Sequence, residues 1–180
     1  AGLIAERDVD PDDFMSFVHS YDVRPFLKPN PKLREFLSGV DAKCVILTSA
    51  NEDHTLRVAE ALGVRECLDR IYDLKAVDYL GKPHPHAYEK VLADYPGESA
   101  VFVDDRMLNF PPAHKLGIVN VWVDEGFKPM QGSLTPALSV FTDEARALAS
   151  KASEIVDFTI KRIEELEGIW PEVTAKAEAK

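Results

Sequence analysis

The sequence predicts an α/β fold, a doubly wound parallel sheet with crossover helices on both faces, on three observations. Short runs rich in β-branched residues alternate with helical patterns between residues 43 and 123, the arrangement that demands parallel strands joined by crossovers. Hydrophobic residues make up 46% of the 180 positions and charged residues 29%, the balance of a globular chain with a real core. Each apolar run also ends in hydroxyl or acidic residues or leads into a polar loop, and in open α/β sheets ligands bind beyond the carboxyl ends of strands.

The elements follow in order. DDFMSFVHSY (12–21) is a helical piece, with acidic residues at its start and Pro25 and Pro29 shortly after it. Leu33, Phe36 and Leu37 mark a helix leading into the first strand, KCVILT (43–48), which reads as buried. NEDH then puts acids in a first helical turn, where the dipole favours them. Leu56, Ala59 and Leu62 continue that helix and Gly63 stops it. RIYDL (70–74) is a weaker second strand. Tyr88, Val91, Leu92 and Tyr95 fall at i, i+3, i+4 and i+7, a helix begun by Pro85 and ended near Pro96-Gly97. SAVFVD (99–104) is the third strand, PPAHKLG (111–117) a short helix, and IVNVWV (118–123) the fourth strand. Beyond a turn-rich stretch, GFKPMQGSLTP, the segment FTDEARALASKA (141–152) has an amphipathic helical pattern. IVDFTI (155–160) continues that helix or forms an edge strand, and its β-branched content favours the strand. KRIEELEGIW opens a last helix, and the tail reads as packing material.

Composition sets limits on partners. Lys and Arg total 21 against 31 Asp and Glu, a formal charge of -10, which argues against a sequence-independent grip on nucleic acid. A small phosphorylated substrate stays compatible, because one local cation or a metal outweighs the global field. No apolar run approaches the roughly 20 residues of a membrane-spanning helix and no secretory signal is visible. Cys44 and Cys67 form no CxxC pair and read as buried free thiols of a reducing, cytoplasmic setting. No oligomeric state is assigned.

Thr48-Ser49, the loop before Lys82, Asp104-Asp105 and Asp124 occupy the strand-end positions. The acidic pair is the most informative of these. Adjacent carboxylates repel, and a hard divalent cation makes them tolerable; Mg2+ prefers one or two carboxylates together with phosphate oxygens. Thr48 has a hydroxyl, and the helix N-terminus behind it has backbone N–H groups, for a phosphate oxygen. Lys82, in the constrained YLGKPHP loop, is a point charge able to steady a phosphate and an anionic nucleophile. A threonine, a lysine and two carboxylates at strand ends form a phosphoryl-transfer constellation.

At these residues the chain resembles the haloacid dehalogenase superfamily of Asp-dependent phosphohydrolases. VILTSA (45–50) is similar to its second motif, GKPHP (81–85) to its third, and VFVDDRMLN (101–109), with Asn109, to its fourth. FLKPNPKLREFL, VILTSANEDHTLRVAEALGV and DYLGKPHPHAYEKVL resemble the pyrimidine 5'-nucleotidase branch, over residues 9 to 125 and more loosely through VDFTIKRIEEL. Ser49 departs from that branch, which generally carries Asn after the Thr. The resemblance implies hydrolysis of a phosphomonoester, with a nucleotide as substrate, through an aspartyl-phosphate. It also implies Mg2+ held by Asp104 and Asp105, catalytic roles for Thr48, Lys82 and Asp104, and substrate binding by Thr48, Ser49 and Lys82. The domains then read as a remnant of a helical cap and linker (1–28), a Rossmannoid α/β core (29–129) and a mostly helical extension packing on the core (130–180).

The family's nucleophile belongs to a motif DxDx[TV] after an earlier strand. Asp8-Val9-Asp10 is the only match here, and IAER before it is no buried strand. The acids of VDPDDF read better as helix N-capping. The sequence thus resembles an N-terminally truncated phosphatase, expected to be inactive alone. The alternative is a non-catalytic, degenerate relative that binds phosphate or metal. A receiver-type arrangement has its acidic pair before the Thr and Lys, not after, and is set aside. His84 and His86 flank Pro85 and read as loop histidines, not as a zinc site. Ser49 and His54 lack the Gly-x-Ser-x-Gly elbow of a hydrolase triad. Trp122 reads as core or interface. Phe14, Phe17 and Val18 form an apolar helical stripe expected to be exposed in this chain.

Overall fold

A computed structural model describes residues 10–126, 147, 148 and 150–180. They fall into two compact units that divide between Asp94 and Tyr95. The expected helix over 141–152 and the turn-rich stretch before it lie mostly outside the described residues.

The first unit opens with α1 (Pro11–Val18), whose N-cap Asp10 accepts from the backbone N–H groups of Asp12 and Asp13 at 2.9 and 3.0 Å. The acids of VDPDDF therefore start a helix, as their position predicts. Met15 is buried on α1, while Phe17 is 79% exposed and Val18 also faces solvent. α2 (Pro31–Gly39) is capped by Asn30, and α3 (Glu52–Leu62) by Asn51, whose Oδ1 accepts from His54 N at 3.1 Å. Gly63 ends α3 at φ 75°. β1 (Val45–Leu47) pairs in parallel with β2 (Arg70–Tyr72), setting Val45 against Arg70 and Leu47 against Tyr72. Val45, Ile46 and Leu47 are each half-buried, not buried as their composition suggests, because among the described residues β2 is the one strand bonded to β1. α4 (Pro85–Ala93) is capped by His84, whose Nδ1 accepts from His86 N at 3.2 Å. His86 therefore belongs to a first helical turn and not to a loop. Ala59, Tyr72, Val77, Ala87 and Tyr88 make the core of this unit.

The second unit holds a three-stranded parallel sheet in the order β3–β4–β5, formed by Val101–Asp104, Val119–Val123 and Phe158–Ile160. α5 (Phe110–Lys115) connects β3 to β4, and Gly117 turns the chain into β4 at φ 78°. The edge-strand reading of 155–160 holds for its second half, while its first residue ends α6 (Ala152–Ile155). α7 (Leu166–Glu178) closes the chain. Phe110, Val119, Val121 and Val173 are fully buried.

So is Asn120, a polar residue in the middle strand. A buried amide needs partners, and the C-terminal segment supplies them to its N–H groups, while Oδ1 has none among the described residues. Asn120 N donates to Asp157 Oδ2 and Asn120 Nδ2 to the Ile155 carbonyl, both at 2.8 Å. Lys176 and Lys180 pair with Asp157 at 2.8 and 3.0 Å. The tail is thus built into the sheet through a polar anchor. Among the described residues no helix is long and apolar enough to cross a membrane.

Candidate functional site

Thr48, Ser49 and Lys82 lie in the first unit, and Asp104 and Asp105 in the second. Thr48 follows β1 directly. Its N–H continues the ladder onto the Tyr72 carbonyl at 2.9 Å, and its Oγ1 accepts from Ala50 N at 3.1 Å. The hydroxyl oxygen is engaged by the backbone, so its hydrogen is the part left to donate. Three residues later Asn51 caps α3, which puts the first N–H groups of that helix beside the turn. Asp73, just past β2, accepts from Glu52 N and Ala76 N at 3.2 and 2.9 Å, tying the end of β2 to the start of α3 and to the loop that follows. RIYDL offered no sequence signal for that role.

The loop carrying Lys82 comes close to the same turn. A Cβ on Gly81 would stand 3.5 Å from Ser49 Oγ and 2.5 Å from Leu74 Cδ2. Only a residue without a side chain lets the loop sit there with Leu74 in place. Two separated motifs, VILTSA and GKPHP, thereby meet in space, and Lys82 is half-buried beside that contact.

At the end of β3, Asp104 Oδ1 accepts from Arg106 N at 2.7 Å and from Asn109 Nδ2 at 2.9 Å. Asn109 is buried just ahead of α5. Asp105 is exposed, and its carbonyl accepts from Trp122 Nε1 at 3.2 Å. Trp122 is half-buried and spends its indole N–H on holding this turn. Asp124, the fourth strand-end candidate, is instead paired with Lys161 at 2.6 Å, which holds its carboxyl below the usual range.

Among the described residues no group of three or more His, Cys, Asp or Glu side chains is arranged to hold a metal ion. The donor set at 104–105 is all oxygen, with one carboxylate oxygen oriented by a buried amide, and this fits a hard cation that takes its remaining ligands from water and phosphate. Cys44 and Cys67 are both free thiols, half-buried where the sequence suggests burial. Cys67 Sγ lies 3.3 Å from Ser38 Oγ, and burial pushes the Cys44 thiol pKa up.

A polar cleft of about 630 Å³ opens beside the start of α3, lined among others by His19, Tyr21, Asn51, Asp53 and Arg57. The rings of His19 and His54 meet at a tilt of 31° with their centroids 4.4 Å apart. Burial, then the neighbouring His19 and Arg57, lowers the pKa of His54. His54 thus packs its ring against His19. The cleft draws on residues from 16 to 61, and no local pattern announces it.

The haloacid dehalogenase-like hydrolase family model matches residues 2–117, and the chain belongs to that family. Among solved structures it is similar to L-2-haloacid dehalogenase from Xanthobacter autotrophicus with chloropropionic acid covalently bound, with a TM-score of 0.60 and 20% identity over 80% of this chain and 61% of that one. A HAD phosphatase from Thermococcus onnurineus gives a TM-score of 0.52 and 21% identity over 78% of this chain and 55% of that one. A HAD-hydrolase from Bacillus subtilis bound to magnesium gives 0.56 and 14%, over 77% and 52%. At these identities the likeness is one of fold, and it agrees with the α/β class and the parallel pairing read from the sequence. The chain spans about three-fifths of the length of the dehalogenase structures it matches, 61% and 59%.

Proposed function

We propose that these residues serve a Mg2+-dependent phosphomonoester hydrolase acting through an aspartyl-phosphate on a small phosphorylated substrate, a pyrimidine nucleoside monophosphate. The observation that carries the reading is the approach of Gly81 to Ser49, which brings the Lys82 loop to the turn after β1. Thr48 donates its hydroxyl to a phosphate oxygen, beside the positive end of α3. Lys82 balances the phosphate charge and orients the attacking carboxylate. Asp104 and Asp105 would hold Mg2+, which would supply the charge neutralisation that phosphoryl transfer needs. The polar cleft beside Asn51 is of a size suited to a nucleoside. Ser49 offers a shorter donor than an Asn at that position.

No described residue is assigned as nucleophile, because Asp10 spends its side chain capping α1. That same observation favours a second reading, in which the chain binds phosphate or metal without catalysis. Phosphate release from p-nitrophenyl phosphate and from a pyrimidine nucleoside monophosphate tests both. The 180-residue chain with Mg2+ should stay at blank level. A form joined at its N-terminus to a strand ending in DxDx[TV] should turn over, and Lys82→Ala or Asp104→Asn should cut its rate by about 10² or more. Robust turnover by the chain alone that survives Lys82→Ala would overturn the proposal. Phosphate binding without turnover in either form would favour the second reading.

A further inference from the structure

The loop that presents Lys82 is held in an unusual backbone conformation by side chains outside it. Asp78 and Tyr79, neither of them glycine, take φ 54° and 60° in succession. L-residues rarely adopt this region, and they keep it only where the surroundings over-determine it. The surroundings here are explicit. Asp78 Oδ2 is gripped from α4 by His86 Nε2 at 2.9 Å and Lys90 Nζ at 3.3 Å. Tyr79 OH donates to Asp12 Oδ1 at 3.0 Å, while Lys75 donates to Asp12 Oδ2 at 2.9 Å. Inside the loop, Tyr79 N bonds the Leu74 carbonyl at 2.7 Å and Leu80 N the Val77 carbonyl at 2.9 Å. Two residues further on, Gly81 meets Leu74 and Ser49.

Asp12 sits on α1, more than sixty positions from the loop in sequence. The other end of α1 is fastened to α3, where Arg57 Nη2 donates to the His19 carbonyl at 2.6 Å. One short helix is therefore tied both to the loop before Lys82 and to the helix that begins behind Thr48. We infer that Asp12 is a positioning residue, latching α1 onto Tyr79 and Lys75 so that the loop carrying Lys82 stays set against the Thr48-Ser49 turn. The functional half of this rests on the phosphate-site reading above; the latch itself does not. Hydrogen bonds from Lys75 and then Tyr79 also hold the Asp12 carboxyl below its usual range.

Asp12 is on the surface, so its variants should fold. The test compares wild type, Asp12→Ala, Asp12→Glu and Lys82→Ala in the full chain, by amide hydrogen exchange and by calorimetric titration of inorganic phosphate with Mg2+. Asp12→Ala should speed exchange of the Tyr79 and Leu80 amides by about ten-fold or more while the Ala59 and Val121 amides keep wild-type rates. It should weaken phosphate binding by about ten-fold or more, since small misplacements of a positioning group are costly. Asp12→Glu should restore both. Unchanged exchange at 79–80 in Asp12→Ala, or a uniform rise across the chain, would overturn the latch. Faster exchange at 79–80 with unaltered phosphate affinity would overturn its positioning role. If Lys82→Ala binds phosphate as wild type does, the phosphate-site reading fails, and the exchange result still decides the latch.

Discussion

Asn109 is buried and gives its side-chain amide to Asp104, so it fixes how one of the two strand-end carboxylates is turned. In the sequence it belongs to the stretch that resembles the fourth motif of the family; the fold makes it the group that aims the first acid. Asn109→Ala leaves that carboxylate oxygen short of a donor and opens a small void. It should cost about 1–3 kcal/mol in urea unfolding and weaken Mg2+ uptake about 10–100-fold by calorimetry. Asp104→Asn should remove measurable Mg2+ uptake. Uptake equal to wild type in Asp104→Asn would separate this turn from the metal.

At the scale of elements, helix boundaries follow from single residues. Asp10, Asn30 and Asn51 cap α1, α2 and α3 with side-chain oxygens, and each is an N-cap type readable in advance. Gly63 ends α3 in the left-handed region at φ 75°, and a Cβ there would touch nothing. Gly63→Ala should therefore carry a purely conformational cost of about 1 kcal/mol, seen as a lower thermal midpoint with no change in phosphate binding. Gly81 is the opposite case: its φ lies outside the left-handed region, and an added Cβ would displace the end of the Leu74 side chain. Both are Gly in the sequence, and only their surroundings tell them apart.

At the scale of the whole molecule, the C-terminal segment is anchored through Asp157. Burial works against its charge, but hydrogen bonds from Lys176, the Asn120 amide and Lys180 outweigh it and hold the carboxyl below the ordinary range. The unfolded carboxyl titrates near 3.9 and the folded one lower, so the contribution is complete above the unfolded value and lost as pH falls through the folded one. Asp157→Asn should lower the urea midpoint at pH 7 by an amount equivalent to about 1–3 kcal/mol. It should also flatten the loss of stability that sets in as pH falls below about 4. A variant with the wild-type pH profile would show that the anchor contributes nothing.

The strands, the capped helices, the parallel class and the strand-end positions were set by local patterns: β-branched runs, 3.6-residue periodicity, Asn and Asp before helices, Gly after them. Those signals are short-range, because backbone conformation and burial preference act over a few neighbouring residues. Tertiary structure alone decided which distant groups share a partner. It set Gly81 against Ser49, Asp12 under Tyr79 and Lys75, and Asp157 beneath Asn120. It also gave Asp124 to Lys161 and made a capping residue of His84. These pairings depend on where folded elements stop and how their surfaces meet, and no stretch of the chain records that by itself.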